Sequence, residues 1–84
     1  MDRTERFLVK LYSPFEVFYE GEAFSLTAAN SQGTFDILPE HANFVSIISQ
    51  GPVSLDTPYG KRRFHLERGI LRVRSGVVTL FANV

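Results

Sequence analysis

Cysteine and tryptophan are absent from this 84-residue chain, and histidine occurs only twice. Without cysteine, a disulfide framework and a cysteine-ligated zinc site are both excluded. No apolar run approaches the ~18 residues of a membrane span. The start of the chain is highly charged and lacks the apolar stretch of a signal peptide. These absences favour an intracellular soluble domain, which is free to dock onto a partner that is itself in a membrane.

A sustained helical period is missing too, and short runs rich in Val, Ile, Leu, Phe and Thr recur between Gly, Pro, Asn or Ser. The pattern predicts an all-β fold, a small β-sandwich of about nine or ten short strands in a single domain 1–84 with an ordered core of about 7–82. Pro14 should end the first strand, and Gly21, Gly60 and Gly76 can supply turns with positive φ. The predicted strands are Phe7–Ser13, Glu16–Tyr19, Phe24–Ala28, Thr34–Ile37, Val45–Ile48, Val53–Asp56, Arg62–Leu66, Ile70–Val73 and Val77–Phe81.

Charge is balanced overall but unevenly distributed along the chain. Residues 1–42 carry seven acids and three bases, whereas residues 43–84 carry two acids and six bases. One interpretation of the basic half, which includes Lys61-Arg62-Arg63, is a nucleic-acid-binding patch. The other is a solvated hairpin tip together with the polar face of strands. Zero net charge and the lack of a nucleic-acid-binding motif favour the second, so no nucleic-acid partner is expected.

Several predicted strands place apolar residues side by side instead of alternating them with polar ones. Examples are Phe7-Leu8-Val9, Ile47-Ile48, Ile70-Leu71 and Val77-Val78. Adjacent strand residues face opposite sides of a sheet, so both faces of these strands are apolar. One face fills the core, and the other is covered either by loops or by a partner protein.

Catalytic and metal-binding patterns are weak. Ser13, Ser46, Ser49 and Asp36 could form a Ser-His-Asp set only on paper, and no nucleophile elbow or phosphate-binding loop is present. Two histidines far apart in sequence are poor evidence for a metal site. We therefore expect no catalytic residue, no cofactor and no metal. His65, between Phe64 and Leu66, is expected on the surface, whereas His41 either bonds to its own loop or lies at an interface.

Residues 33–42 (Gly-Thr-Phe-Asp-Ile-Leu-Pro-Glu-His-Ala) join a β-capable segment to a proline-containing bend that ends beside a histidine. A Ser13-Pro14 corner and a Glu20-Gly21-Glu22 turn precede this run, and Gly69-Ile70-Leu71-Arg72-Val73 follows it. In this order and spacing, the pieces resemble the β-sandwich domain of the epsilon subunit of F-type ATP synthases. The resemblance extends from Phe7 to Ala82.

The resemblance implies a non-catalytic rotor subunit of the central stalk, which couples the gamma subunit to the c-subunit ring during proton-driven ATP synthesis. Such a protein belongs to a multi-subunit complex and is peripheral to the membrane through its partners only, on the cytoplasmic face of the bacterial inner membrane. By position, the resemblance places the gamma-subunit contact at Ser13, His41, Ala42, Asn43 and Phe44. It places the contact with the c-ring at Asn30, Ser31, Gln32, Gly33 and Thr34.

The chain departs from the family pattern at Asp36 and Glu40, where glycine is usual, and at Asn43, where proline is usual. Asp tolerates left-handed backbone better than most residues, so the loop is expected to survive at Asp36. Glu40 fits poorly if a positive φ is needed there. Gln32 and Thr34 stand where acids are common, which argues against a salt bridge to the ring.

Family members usually continue into a two-helix C-terminal domain that inhibits ATP hydrolysis and in some members binds ATP. This chain stops at Asn83-Val84. A natural short form without that domain, which couples but does not regulate, is expected, and a truncated piece of a longer chain is the alternative.

The alternative function is that of a free-standing β-sandwich module that binds a small ligand or carbohydrate. Carbohydrate sites favour exposed aromatic platforms, and this chain offers only Tyr12, Tyr19 and Tyr59 as polar aromatics. The alternative is therefore the weaker of the two.

Overall fold

The computed structural model describes residues 5–83, which form strands joined by short turns. The predicted all-β fold and its nine strands are confirmed, with bounds that differ from the predicted ones at most strand ends. Because residues 5–83 contain no helix, none is long and apolar enough to cross a membrane. The strands are β1 (Phe7–Tyr12), β2 (Val17–Ala23), β3 (Ser25–Asn30), β4 (Gly33–Ile37), β5 (Phe44–Ile48), β6 (Gly51–Thr57), β7 (Gly60–Leu66), β8 (Gly69–Arg74) and β9 (Val77–Ala82).

The strands form two sheets that pack face to face. The five-stranded sheet has the order β2-β1-β9-β8-β5, and the four-stranded sheet has the order β4-β3-β6-β7. Strands β1 and β9 pair in parallel, whereas the other strand pairs in the described range are antiparallel. The first and last strands therefore lie side by side within the larger sheet, with β9 as its middle strand.

Alternation of buried and exposed residues fixes which face of each strand meets the core. In β8, for example, Leu71 and Val73 are buried while Ile70, Arg72 and Arg74 are exposed. This period of two is what a strand with one buried face requires. The largest fully buried side chains are Leu11, Leu26, Ile37, Ile48, Leu55, Leu66, Leu71, Leu80, Val9, Val53 and Val78.

Two phenylalanine pairs close the open edges of the sandwich. Phe18 of β2 lies 6.0 Å from Phe64 of β7 between ring centroids, which joins one edge of each sheet. Phe35 of β4 lies 5.9 Å from Phe44 of β5 in an edge-to-face arrangement and joins the opposite edges. Aromatic pairs at such distances contribute beyond their buried area. Half of the chain's eight phenylalanines thus serve to seal the sandwich.

The predicted turn at Glu20-Gly21-Glu22 is wrong. All three residues lie inside β2, where Gly21 pairs with Val9 of β1. A Cβ at Gly21 would lie 3.1 Å from the hydroxyl oxygen of Tyr19, and that hydroxyl donates a 2.6 Å hydrogen bond to the carbonyl of Glu22. Glycine at this position leaves room for the Tyr19 ring, because a larger side chain would crowd the tyrosine hydroxyl. It does not mark a turn of the chain. Gly60 and Gly76 do take positive φ, as predicted.

Glu40 has a φ of +66°. The bend after β4 therefore requires the left-handed conformation at this residue, where the sequence predicts that glutamate fits poorly. Asp36, in contrast, lies in the extended strand β4, where its carboxylate accepts a 2.6 Å hydrogen bond from the Thr27 hydroxyl. The expectation that Asp36 would supply a left-handed residue is therefore not met, because the strain falls on Glu40.

We expect Glu40→Gly to stabilise the domain by about 0.5–1 kcal/mol. Left-handed backbone costs a residue with a Cβ roughly 1–2 kcal/mol, and the greater freedom of glycine in the unfolded chain offsets part of that gain. A rise of about 4–8 °C in Tm per kcal/mol makes the change measurable by thermal unfolding. Glu40→Ala, which keeps the Cβ, is the control and should leave Tm nearly unchanged. Equal gains from both variants would show that the glutamate side chain, not the backbone, is unfavourable.

Candidate protein-docking face

An apolar stripe crosses the outer face of the five-stranded sheet. It contains one residue from each strand, and neighbouring members are partners in the strand register. The members, in order across the sheet, are Val17, Tyr12, Phe81, Ile70 and Ile47. Val17, Ile70 and Ile47 are 59%, 46% and 67% exposed, while the Tyr12 and Phe81 rings pack 4.9 Å apart. Four strand spacings make the stripe about 19 Å long.

Further apolar side chains extend this stripe at both edges. Phe15, in the turn between β1 and β2, is 95% exposed, and Val45 of the edge strand β5 is also largely exposed. Large contiguous apolar patches on a protein surface usually mark interaction sites. The sequence left two coverings open, loops or a partner. The loops within residues 5–83 do not bury these side chains, so this part of the chain leaves the stripe available to a partner.

A row of polar and charged residues runs beside the stripe. Its members from β2 to β8 are Glu20, Lys10, Thr79 and Arg72, again partners in register. Arg72 separates two shallow depressions on this face. One, of about 390 Å³, is lined by Lys10, Tyr12, Val17, Glu20, Arg72 and Thr79. The other, of about 380 Å³, is lined by Asn43, Phe44, Val45, Arg72, Val73 and Arg74.

The outer face of the four-stranded sheet has a different character. It carries an open depression of about 380 Å³ that is lined mostly by hydroxyl-bearing and charged side chains: Ser25, Thr27, Ser54, Leu55, Asp56, Lys61, Arg62 and Arg63. The large exposed apolar residues of this sheet and its turns are Leu38 and Tyr59, both in turns. The two outer faces of the sandwich are therefore unlike, and the apolar one is the better candidate for a tight protein contact.

The basic residues of the second half of the chain, all within the described range, do not form a single patch. Lys61, Arg62 and Arg63 lie on β7 of the four-stranded sheet, where Lys61 stands opposite Asp56. Arg72 and Arg74 lie on β8 of the other sheet. Because the two groups belong to different layers, the structure favours the solvated interpretation of the basic half over a nucleic-acid surface.

The predicted gamma-contact residues lie at two ends of the five-stranded sheet. Ser13 follows the stripe residue Tyr12, and its hydroxyl oxygen accepts hydrogen bonds from the amides of Phe15 and Glu16, both at 3.3 Å. His41, Ala42, Asn43 and Phe44 lie at the other end of the sheet, where the side-chain oxygen of Asn43 accepts a 3.0 Å bond from the Ser75 amide.

His41 is exposed, and its Nδ1 lies 2.9 Å from the carbonyl oxygen of Ala42. Its ring also packs 4.9 Å from that of Phe44. The prediction of a bond to its own loop is thus confirmed, and the ring remains on the surface. His65 is exposed on β7, as predicted.

The predicted ring-contact residues form the tip of the β3–β4 hairpin. Ser31, Gln32, Gly33 and Thr34 are all exposed, and the side-chain oxygen of Asn30 accepts a 2.8 Å hydrogen bond from the Gln32 amide. The side-chain nitrogen of Asn30 donates a 3.2 Å bond to the Ser46 hydroxyl of β5. This bond connects the hairpin tip to the edge strand β5, which carries Ile47. The tip therefore has a fixed position relative to the outer face of the five-stranded sheet.

Catalytic groups are not brought together. Ser13 and His41 lie at opposite ends of the larger sheet, Asp36 is bonded to Thr27, and Ser46 to Asn30. Within residues 5–83 no three histidine, aspartate or glutamate side chains are grouped so as to hold a metal ion. The tyrosines do not form a carbohydrate platform either, because Tyr19 is buried, Tyr12 packs on Phe81 and Tyr59 stands on a separate hairpin.

Val17, Tyr12 and Phe81 are members of the stripe that the sequence analysis does not identify. Each stands at or near a strand end beside another apolar residue, so the local pattern does not show which of the two neighbours faces outward. Their alignment with Ile70 and Ile47 depends on strand order and register, and above all on the parallel pairing of β1 with β9. The adjacent apolar residues in Ile47-Ile48 and Ile70-Leu71 are the sequence signal that indicates a second apolar face on β5 and β8.

Comparisons with known proteins agree with this architecture. The family described as "ATP synthase, Delta/Epsilon chain, beta-sandwich domain" matches residues 6–84. An ATP synthase epsilon chain of Ruthia magnifica is 33% identical over 75 residues, which cover 89% of this chain and 54% of the relative. One of Clostridium novyi is 30% identical over 81 residues, covering 95% and 62%. This chain thus spans little more than half the length of these relatives.

Among solved structures, a chain in the Euglena gracilis mitochondrial ATP synthase assembly of OSCP, F1 and c-ring matches with a TM-score of 0.84 at 19% identity, over 92% of this chain and 50% of that one. A chain in the central stalk and c-ring structure of the Tetrahymena thermophila enzyme matches with a TM-score of 0.79 at 14% identity, over 92% and 63%. At these identities the structural likeness establishes the fold.

Proposed function

Because the chain belongs to the family of ATP synthase delta/epsilon chain β-sandwich domains, we propose that it is a non-catalytic subunit of the synthase rotor. In this role it joins the gamma subunit of the central stalk to the c-subunit ring, so that ion-driven rotation of the ring turns gamma. This function is mechanical, and it requires two stable protein–protein contacts and no catalytic site.

The apolar stripe is the observation that carries this proposal. A rotor subunit must bind its stalk partner tightly enough to resist torque, and a buried apolar centre of standard size supplies such affinity. The stripe, with Phe15 and Val45 at its edges, provides that centre on one face alone. The polar outer face of the four-stranded sheet is left for solvent.

The gamma contact extends over the whole outer face of the five-stranded sheet. Ser13 lies at the stripe and Phe44 at the far end, so a subunit laid across the face touches both. The depression lined by Asn43, Phe44 and Val45 links the predicted contact residues with the β8 side of that face. Ala42 and His41 then lie at the rim of the contact.

The ring contact is assigned to the tip of the β3–β4 hairpin, Asn30 to Thr34. Its exposed polar side chains suit the polar loops of a ring better than an apolar surface. The bacterial relatives favour a place on the cytoplasmic face of the inner membrane, where the chain would be peripheral and held by its partners.

Titration of the chain against the gamma subunit of the same organism, by calorimetry or co-elution, tests the proposed function. A one-to-one complex is expected, together with the negative heat-capacity change that apolar burial produces. Lack of binding at high micromolar concentration would refute the rotor role and leave the fold without an assigned partner.

Because the chain has no cysteine, a single introduced cysteine can be labelled without background. We expect Ser31→Cys, labelled with a short maleimide–benzophenone reagent before it is assembled into the synthase, to be photo-cross-linked to a c subunit. Tyr59→Cys is the matched control, since it stands on the β6–β7 hairpin tip at the opposite end of the same sheet. Cross-linking of both variants, or of Tyr59→Cys alone, would contradict the assignment of the β3–β4 tip.

A further inference from the structure

Arg72 is a cation on the outer face of the five-stranded sheet, in the row beside the stripe, and no group within residues 5–83 pairs with it. Its cross-strand neighbours are Thr79 of β9 and Val45 of β5, neither of which is acidic. Among residues 5–83 it makes no ion pair and no side-chain hydrogen bond. The other cations toward the β2 edge differ in this respect: Arg6 pairs with Glu22 at 2.9 Å, and Lys10 stands opposite Glu20.

A partner that covers the stripe must also cover Arg72. Arg72 lies one register row from the stripe and lines both depressions of this face. Burying a charge without a counter-charge is strongly unfavourable, whereas a carboxylate can receive two parallel hydrogen bonds from a guanidinium. Arginine is also among the residues that most often dominate binding energy at the centre of an interface.

The two sides of this face differ in how their charges are matched. Glu20 and Glu22 at the β2 side have Lys10 and Arg6 as partners, whereas Arg72 and Arg74 at the β8 side stand opposite Thr79 and Val77. A partner that presents an acid to the β8 side is held in one orientation and not its reverse. For a subunit that transmits torque, such a fixed orientation is useful.

A second copy of this chain does not meet these requirements. Stacking the stripe on itself about a two-fold axis parallel to the strands leaves β9 over β9 and places β1 over β8. Lys10 of each copy then faces Arg72 of the other, and like charges oppose each other at the centre of the contact. In this arrangement the row therefore disfavours self-association of the chain.

We infer that the partner seated on this face presents a carboxylate to Arg72 beside an apolar strip, and that Arg72 determines which partner and which orientation are accepted. This inference rests on the proposed function, which makes the gamma subunit that partner. It adds the chemistry of the contact: an acidic side chain of gamma lies between the two depressions.

The affinity of the chain for gamma, measured by calorimetry with charge variants, tests the inference. Arg72→Glu is expected to raise Kd at least about 30-fold, since losing one partner of a buried charge pair costs at least about 2 kcal/mol. Arg63→Glu is the matched control, because it makes the same charge change on the exposed outer face of the other sheet, and it should leave Kd unchanged. Arg72→Met, which keeps an apolar stem, should weaken binding in the same direction if Arg72→Glu does not fold.

A second readout identifies the partner group. With Arg72→Lys, a carbodiimide is expected to couple the introduced amine to an aspartate or glutamate of gamma, which peptide mass spectrometry can locate. If gamma binds the parent chain but Arg72→Glu binds equally well, the inference is refuted and the rotor role stands. If gamma does not bind the parent chain at all, the rotor role is refuted and the inference falls with it.

Discussion

Replacing Leu71 with alanine is expected to lower the free energy of unfolding by about 3–5 kcal/mol. The Leu71 side chain is fully buried at 0% exposure in the centre of the core, opposite Leu80 of β9. Removing its branched end leaves a cavity that two closely packed sheets cannot collapse to fill. The loss is a large part of the ~5–15 kcal/mol that holds a small domain together. Urea unfolding of the purified chain measures it directly.

The next residue along β8 supplies the control. Ile70 points to the opposite side of the sheet and is 46% exposed, so Ile70→Ala is expected to cost only about 1 kcal/mol. Both changes shorten an aliphatic side chain at adjacent positions of one strand, and they differ in which face is affected. Equal costs would mean that β8 does not present Leu71 to the core and Ile70 to solvent.

A charge in the apolar stripe is expected to abolish tight binding of gamma while leaving the fold intact. Ile47 is 67% exposed, so Ile47→Asp should change stability little. In the complex the new carboxylate would lose its water without gaining a counter-charge, and we expect Kd to rise about 100-fold or more. Calorimetric titration with gamma measures the change.

Two further variants separate the possible reasons for that loss. His65→Asp introduces the same side chain on the exposed outer face of the four-stranded sheet and should bind gamma normally. Ile47→Lys carries the opposite charge and should lose affinity as well, because burial of any charge in the stripe is unfavourable. Binding that is weakened by Ile47→Asp but kept by Ile47→Lys would show that charge sign, not apolar burial, governs the contact at this position.

Much of the architecture can be predicted from local pattern. Val9 and Leu11 on β1, or Leu71 and Val73 on β8, alternate with exposed residues at the period of a strand, and proline and glycine mark most strand ends. The local pattern misleads at Gly21, because a glycine that permits close packing cannot be distinguished in sequence from a glycine in a turn. Which of the two it is depends on the folded position of the Tyr19 ring.

The docking face is harder to predict, since it is a property of several strands together. Sequence reasoning recognises Ile70 and Ile47 as apolar residues on a second face, but it cannot place Tyr12 beside Phe81 without the parallel pairing of the first and last strands. The surroundings of Arg72 are hard to predict for the same reason. Its neighbour Thr79 follows in the β8–β9 hairpin, but Val45 of β5 is distant in the chain and becomes adjacent only in the folded sheet.

Methyl cross-saturation in the complex of this chain with gamma tests most directly whether gamma binds the outer face of the five-stranded sheet. Saturating gamma should attenuate the methyl signals of Val17, Val45, Ile47 and Ile70, while those of Thr27 on the other outer face stay unaffected. Attenuation centred on Thr27, with Ile47 and Ile70 unchanged, would place the partner on the polar face and contradict the account.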